Sequence, residues 1–151
     1  MKHHMVEGWL YRKVNNEILY LLLKRSSDKG GFWQPVAGRV ETSDADTKEA
    51  ALREILEETG ISKDKLGKFH DRIHEFTINK HYLTQQPIPP IHEVAHAFEC
   101  FTFKCNMDMN NDQEHETYGW FSYEQALKLL KWNDNKDAMI KLNRQINEEK
   151  I

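Results

Sequence analysis

Three glutamates in one short segment are the residues of this sequence best suited to chemistry. Glu54, Glu57 and Glu58 lie three and four residues apart in the run REILEE, so on a helix they share one face at separations of about 5–6 Å. Like charges at this spacing destabilise a helix, and a divalent cation would turn that repulsion into attraction. Ligands that are all oxygen favour Mg²⁺ or Mn²⁺ over zinc. The plain alternative is a solvated, charged helix face.

The element that must carry these glutamates is the clearest helix in the sequence. Residues 46–59 begin with a suitable N-cap, Asp46, and Glu49 stands where it would complete a capping box. Gly60 follows, where a left-handed residue commonly ends a helix. Arg53, next to the first of the glutamates, is expected to pair with one of them and to hold its carboxylate in place.

The segment around this helix resembles the signature of the Nudix hydrolases, G-x5-E-x7-R-E-U-x-E-E-x-G-U, in which U is aliphatic. Residues 38–61 read GRVETSDADTKEAALREILEETGI, and every specified position of the second half is matched. The first half is one residue too long, because 14 residues instead of 13 separate Gly38 from Arg53, and the early glutamate falls at Ala45. We expect the role of that glutamate to be lost or to be taken by a flanking aspartate.

The resemblance implies an α/β (α+β) fold, namely a three-layer α/β/α sandwich with a mixed sheet, in a single domain of residues 1–151. It also implies hydrolysis of a phosphoanhydride bond, by attack of water on a phosphorus with the help of Mg²⁺ or Mn²⁺. Residues carried over by position are the metal ligands Glu54, Glu57 and Glu58, the catalytic Arg53 and Glu57, and the structural positions Gly38, Glu41 and Gly60.

Other segments are similar to one Nudix subgroup, the bacterial dihydroneopterin triphosphate pyrophosphatases, long described as dATP pyrophosphohydrolases. These segments are FWQPVAGRVE, EHETYGWFS and KWNDNKDAMIKL. By this resemblance Glu114 is a metal ligand or the catalytic base, and Arg25 contacts the substrate. The expected substrate is a pterin or nucleoside triphosphate that is split into a monophosphate and pyrophosphate. The alternatives are a dinucleoside polyphosphate, a nucleotide sugar, or a Nudix-fold binding module without activity, which would not need the mutually repelling glutamates.

Residues 92–96 spell H-E-x-x-H, a string that binds zinc only on a helix. Pro89 and Pro90 precede it, and the apolar residues that follow favour a strand. On a strand, residues four apart are separated by about 13 Å and cannot share a metal, so we exclude a zinc protease. Glu93 stays an alternative to Glu114 if its strand faces the site.

No glycine-rich phosphate loop of the GxxxxGK[ST] type is present, so phosphates would be held by metal and by basic side chains. Trp33 and Trp132 are candidates for stacking on a base or a pterin. Each tryptophan is also suited to the core, which is the commoner use of such a residue.

Composition limits the partners of this chain. Its 151 residues include 21 Lys and Arg against 24 Asp and Glu, for a net charge of −3, which excludes a strongly basic nucleic-acid surface. No apolar run is long enough to cross a membrane, and the two cysteines lack a second pair of zinc ligands. We expect a cytoplasmic protein with reduced thiols, a monomer or homodimer, that binds a small phosphorylated substrate and neither a nucleic-acid polymer nor a membrane.

The rest of the pattern predicts strands with helices that follow them. Two β-rich runs over 9–24 flank a turn at Asn15 and Asn16, and the first helix comes after them. Further strands are expected over 69–79, 93–104 and 117–121. A capping box of Ser122 and Gln125 predicts a helix to about residue 131, and a last helix is expected over 135–148.

Overall fold

The computed structural model describes residues 4–106 and 114–149. Over these residues the chain forms seven strands: β1 (His4–Val14), β2 (Glu17–Arg25), β3 (Trp33–Gln34), β4 (Val36–Arg39), β5 (Leu66–Lys80), β6 (Pro87–Cys100) and β7 (His115–Ser122). The α-helices of the same residues are α1 (Thr47–Thr59), α2 (Tyr123–Leu129) and α3 (Asn133–Glu148). None of these helices has the length and apolar character that a bilayer crossing requires.

The strands form one mixed sheet around β1. The order is β3-β2-β1-β6-β5, with β4 added beside β1 and β7 added beside β2. β1 runs parallel to β6 and antiparallel to β2 and β4. The predicted mixed sheet is therefore confirmed.

Helices cover both faces of this sheet. Alternate residues of β1 point to opposite faces: Val6 and Leu10 pack in a core cluster with residues of α1, whereas Trp9 and Tyr11 pack in a second cluster with residues of α2 and α3. The three-layer α/β/α arrangement is thus confirmed, with α1 on one side and α2 and α3 on the other.

The predicted hairpin at the start of the chain is also confirmed. β1 and β2 pair up to Val14 and Glu17, and both turn residues have positive φ, 50° at Asn15 and 65° at Asn16. Asparagine tolerates this region better than most residues because its short polar side chain can bond locally.

Some predicted boundaries were wrong. The strand expected over 93–104 instead spans Pro87–Cys100, so Phe101 and Phe103 lie beyond it and are exposed. Prolines 87, 89 and 90 are accommodated because this end of β6 pairs with β5 and extends beyond the residues that pair with β1. Helix α2 stops at Leu129, and α3 begins two residues earlier than expected. Cys100 and Cys105 are both free thiols, as predicted.

Candidate active site

Helix α1 has the predicted start and end. The Asp46 carboxylate accepts a hydrogen bond from the Glu49 backbone N–H at 2.8 Å, which is one half of the expected capping box. Gly60 adopts φ 74° and donates its N–H to the Leu56 carbonyl. Ile55 is fully buried against the sheet, so the neighbouring glutamates are held at the edge of the helix–sheet interface.

Arg53 is the centre of a charged network beside the glutamates. Its Nη1 donates to Glu54 Oε1 at 2.9 Å and to Glu57 Oε2 at 3.1 Å, which confirms the expected pairing. Its Nε and Nη2 donate to the two oxygens of Asp44 at 3.0 and 2.9 Å. These bonds from Arg53 lower the pKa of Asp44 below its usual value. Glu41 lies at the exposed rim, 3.5 Å from Arg53 Nη1.

Asp44 therefore occupies the place of the early signature glutamate. It is the sixth residue after Gly38, which is the glutamate position when the signature is counted from that glycine. The extra residue thus lies between Asp44 and Arg53. Of the two outcomes that the sequence left open, replacement by an aspartate is the one that the geometry supports.

Position 38 must be a glycine because the Glu54 carboxylate lies close to its Cα atom. A Cβ atom built on this residue would lie 2.2 Å from Glu54 Cδ and 2.3 Å from Glu54 Oε1. Any side chain at position 38 would occupy the space of the Glu54 carboxylate. The conformation of β4 and the placement of this carboxylate are therefore coupled.

Glu58 is a buried and poorly hydrogen-bonded carboxylate. The residue is 3% exposed, and neither carboxylate oxygen has a well-formed hydrogen bond among the residues that the structure describes. Burial, together with the charges of Glu54 and Glu114, raises the pKa of Glu58 well above its usual value, although the Ala37 backbone lies close enough to lower this pKa slightly. A buried anion in these surroundings is costly unless a cation compensates it. The donor set therefore fits a hard divalent cation.

The start of β7 brings two further residues to this carboxylate. Ligand atoms of Glu58, Glu114 and His115 all lie within 4.8 Å of one another, and His115 Nε2 is 3.6 Å from Glu58 Oε1. Burial, with the nearby charges of Arg25 and Lys29, lowers the pKa of His115 to about 4, so the imidazole is neutral at pH 7. The sequence analysis quoted His115 within EHETYGWFS but gave it no role.

Arg25 and Glu93 are placed very differently. Arg25 Nη1 bonds Glu114 Oε1 at 2.9 Å, and its other nitrogens donate to the Lys29 carbonyl and the Tyr82 hydroxyl. Glu93 lies on the other face of the sheet from α1. The structure thus brings Glu114, and not Glu93, to the α1 glutamates.

A cavity of about 530 Å³ adjoins this group. Its lining includes Arg25, Gly38 and Glu114 from the region just described. The remaining lining includes the aromatic residues Phe32, Phe76, Tyr82 and Trp132 and the buried polar residues Glu7, Glu93 and Asn135. Such a mixture of flat apolar walls and few polar groups is typical of small-molecule sites.

The two candidate tryptophans are separated by the fold. Trp132 lines the cavity and contacts Phe32 edge-to-face at a centroid distance of 5.4 Å. Trp33 packs instead against Phe121 and the core beneath α2 and α3, and it is not among the cavity-lining residues that the structure describes. Neighbours on an extended segment point to opposite sides, so Phe32 faces the cavity where Trp33 was expected.

Comparison with known families matches residues 6–142 to the NUDIX domain. The chain belongs to the NUDIX family. The resemblance found in residues 38–61 is therefore confirmed, and so is the Nudix-type sandwich. The family match also covers Arg25, Glu114 and Trp132, which lie outside the signature segment.

Two kinds of enzyme are among the individual relatives. The chain is 31% identical to the asymmetrical bis(5'-nucleosyl)-tetraphosphatase of Mus musculus over 131 residues, which cover 86% of this chain and 82% of that protein. It is 31% identical to the dihydroneopterin triphosphate diphosphatase of Haemophilus influenzae over 135 residues, which cover 87% and 82%. A NUDIX hydrolase from Listeria monocytogenes matches the fold with a TM-score of 0.78 at 25% identity, covering 97% of this chain and 95% of that one.

Proposed function

We propose that this NUDIX protein is a Mg²⁺-dependent pyrophosphohydrolase that splits a pterin or nucleoside triphosphate into a monophosphate and pyrophosphate. The observation that carries the proposal is the buried Glu58, whose oxygens have no well-formed hydrogen bond among the described residues and which lies beside Glu54 and Glu114. A buried carboxylate such as Glu58 is stabilised by a bound cation. A Nudix-fold module that binds a ligand without hydrolysing it would have no need of this arrangement.

Glu54, Glu57, Glu58 and Glu114 are the residues that would hold Mg²⁺, and Mn²⁺ accepts the same oxygen ligands. When bound, the metal supplies neutralisation of charge on the phosphate oxygens and assistance to the attacking water. Arg53 holds Glu54 and Glu57 in position through the 2.9 and 3.1 Å hydrogen bonds. Glu57 and Glu114, both partly exposed, are the carboxylates placed to accept a proton from water.

The cavity provides for the remainder of the substrate. Arg25 lines it and presents a guanidinium, which suits phosphate oxygens. Phe32, Tyr82 and Trp132 supply flat apolar walls for a ring. A small phosphorylated molecule with one planar ring therefore suits the lining, and we propose that it reacts in the cytoplasm, where the two free thiols stay reduced.

A dinucleoside tetraphosphate is the second candidate substrate. It is favoured by the tetraphosphatase relative, whose identity to this chain equals that of the dihydroneopterin triphosphate relative. The two candidates differ in the products that they release, so one assay separates them.

The test is a substrate panel with resolved products. The purified protein is incubated with dihydroneopterin triphosphate, dGTP, dATP and diadenosine tetraphosphate, with Mg²⁺ or with EDTA, and products are separated by anion-exchange chromatography. We expect a monophosphate and pyrophosphate from a triphosphate, in Mg²⁺ alone. Faster cleavage of the tetraphosphate than of every triphosphate would select the second candidate. The absence of any Mg²⁺-dependent product would overturn both.

Two variants test in the same assay whether the α1 glutamates are responsible for the hydrolysis. Glu57→Gln should abolish the Mg²⁺-dependent release and leave the fold intact. Glu49→Gln is the matched control, because this glutamate lies on the same helix, is exposed, and is at the opposite end from the site. Equal turnover of the two variants would contradict the assignment.

A further inference from the structure

An ion pair joins the carboxylates proposed to hold Mg²⁺ to a guanidinium that faces the cavity. These carboxylates, the α1 group, are those of Glu54, Glu57, Glu58 and Glu114. Arg25 Nη1 lies 2.9 Å from Glu114 Oε1, and both residues line the cavity. One arginine therefore contacts a proposed metal ligand and also faces the space in which the phosphates of a substrate would lie.

The backbone of two paired strands holds this contact in place. Arg25 ends β2, and Glu114 directly precedes β7, which pairs antiparallel with β2. The Ser26 N–H donates to the Glu114 carbonyl at 2.9 Å. The main chain at the two residues is thus already fixed, so their side chains meet at little further cost in conformational entropy.

The Arg25–Glu114 pair is more buried than a neighbouring ion pair of the same kind. The side chain of Arg25 is 13% exposed and that of Glu114 is 28% exposed. Lys24 and Glu116 are 3.0 Å apart, but their side chains are 37% and 45% exposed. Solvent and salt screen a partly buried pair less than an exposed one. The Lys24–Glu116 pair therefore provides a comparison in which the charges are the same and the burial differs.

Arg25 has further partners that would keep it in place without Glu114. Its Nε donates to the Lys29 carbonyl at 2.9 Å, and its Nη2 donates to the Tyr82 hydroxyl at 3.2 Å. The guanidinium carbon lies 5.0 Å from the centre of the Tyr82 ring and 5.6 Å from that of Phe32, distances at which a cation and an aromatic face attract each other. Since an arginine has five N–H donors, Arg25 released from Glu114 would still be positioned beside the cavity and able to bind an anion.

A cation at the α1 group and the guanidinium of Arg25 compete for the charge of Glu114. A carboxylate that a divalent cation neutralises attracts a guanidinium less, and the cation repels the guanidinium directly. A phosphate group, conversely, offers the guanidinium another anion. The cation and the phosphate thus each replace one half of the ion pair, and together they leave neither Arg25 nor Glu114 without an opposite charge.

We propose that the Arg25–Glu114 ion pair is an autoinhibitory contact, in which Arg25 occupies Glu114 until a divalent cation takes the carboxylate and a phosphate takes the guanidinium. Each event releases the partner that the other needs, so cation and phosphate bind with positive cooperativity through this pair. The inference rests on the proposed function, because it takes Glu114 as a ligand of the cation. It gives Arg25 a role before the substrate binds, in addition to a contact with the substrate.

The first test measures Mn²⁺ affinity in the absence of phosphate, by electron paramagnetic resonance. We expect Arg25→Gln to raise the affinity about 3–10-fold, the scale of one charged hydrogen bond, and to raise it less than twofold in a protein that already carries Glu114→Gln. Lys24→Gln removes the same charge from the neighbouring pair and should stay within about twofold of wild type. An unchanged or lower affinity in Arg25→Gln, or an equal rise in both backgrounds or in Lys24→Gln, would overturn the proposal.

The second test measures the binding of pyrophosphate in EDTA, by isothermal titration calorimetry. Glu114→Gln releases Arg25 and should raise the affinity for pyrophosphate about 3–10-fold, and this gain should disappear when Arg25→Gln is also present. Binding that is undetectable in both proteins with Arg25→Gln also counts as loss of the gain. Glu116→Gln is the matched control and should change the affinity less than twofold. No gain in Glu114→Gln, or a gain that persists without Arg25, would contradict the autoinhibitory contact.

The two binding experiments are independent of catalysis. If no substrate is hydrolysed, the proposed function fails, and the Mn²⁺ and pyrophosphate affinities still decide whether Arg25 restrains Glu114. The comparison of Glu114→Gln with Glu116→Gln in EDTA needs no variant of Arg25, so it decides the question even if Arg25→Gln does not fold. A larger gain in Glu114→Gln than in Glu116→Gln supports the proposal, and equal affinities overturn it.

Discussion

The protein buries two groups of glutamates on opposite faces of one sheet, and they differ in what their oxygens contact. On the α1 face, neither oxygen of Glu58 has a well-formed hydrogen bond among the described residues, while Arg53 donates to Glu54 and Glu57. On the α3 face, Glu7 receives hydrogen bonds from Trp9 and Asn135. Burial is therefore common to both groups, whereas the hydrogen-bond partners of their carboxylates differ.

The two groups of glutamates also differ in the number of carboxylates that they bring together. In addition to burial, the charges of Glu54 and Glu114 both raise the pKa of Glu58, and one proton cannot compensate three carboxylates. Glu7 and Glu93, the α3-face pair, are only two, and a single proton leaves them with one charge. We therefore expect the α1 group to need a bound cation, whereas a single proton suffices for the pair.

The largest effect is expected for Glu58→Gln. Loss of this charge should lower Mg²⁺-dependent hydrolysis by at least about 100-fold, the scale seen when one charge-stabilising group is removed from an active site. Thermal unfolding should not fall, because the variant removes a buried charge whose oxygens have no well-formed hydrogen bond among the described residues. If Glu58→Gln retains most of the wild-type turnover under the same conditions, the α1 glutamates do not hold the metal used in hydrolysis.

Gly38→Ala should have the next largest effect. The added Cβ overlaps the Glu54 carboxylate and displaces it from the α1 group, so activity should fall about 10–100-fold, as for changes that misplace metal ligands. Activity equal to wild type would show that the position of Glu54 does not matter.

Asp44→Asn is expected to cost about 10-fold in kcat/KM. The variant weakens the contacts that orient Arg53, and loss of an outer partner typically reduces metal affinity or activity by this factor or more. Glu41→Gln offers a graded comparison, because that exposed carboxylate is 3.5 Å from Arg53 and should matter less. If both variants lose activity equally, Asp44 does not replace the signature glutamate.

The smallest effect concerns stability and pH in the α3-face pair. The pKa of Glu93 in the folded protein lies above its unfolded value of about 4.3. The free energy of unfolding of the wild type therefore falls as the pH rises from the unfolded pKa to the folded pKa. Glu93→Gln has no ionisable group at this position and does not show this decrease. The free energy of unfolding of the variant should match that of the wild type near pH 4 and exceed it at pH 8. Urea unfolding at several pH values measures this.

Other titratable groups near Glu7 and Glu93 require a control in the urea-unfolding series. His74 and Asp134 act on Glu7 and Glu93 through their charges, so the same series is run with Asp134→Asn. A stability difference between Glu93→Gln and wild type that is independent of pH would contradict the raised pKa of Glu93.

Local features of the site could be predicted, whereas contacts between distant segments could not. Helix α1, its N-cap and the Arg53–Glu54 pair follow from spacing over a few residues. Asp44 was left open because an extra loop residue makes the register of the first half ambiguous. The structure resolves this through the hydrogen bonds to Arg53.

The α3-face pair needed the three-dimensional register. Glu7 and Glu93 come together only because β1 and β6 are parallel neighbours with Met5 opposite Glu93, and no local pattern fixes that alignment. Asn135 reaches Glu7 from a helix whose start was predicted two residues too late. Trp33 was predicted to stack on the substrate ring, but Phe32 faces the cavity instead, because the two neighbouring side chains point to opposite sides.

The most direct test of the central claim is the affinity for Mn²⁺, measured by electron paramagnetic resonance on the wild-type protein and two variants. Glu58→Gln removes a carboxylate of the α1 group, and Glu93→Gln removes one of the α3-face pair. We expect Mn²⁺ affinity to fall at least about 10-fold in Glu58→Gln and to stay within about twofold of wild type in Glu93→Gln. Unchanged affinity in Glu58→Gln, or an equal loss in both variants, would contradict the account.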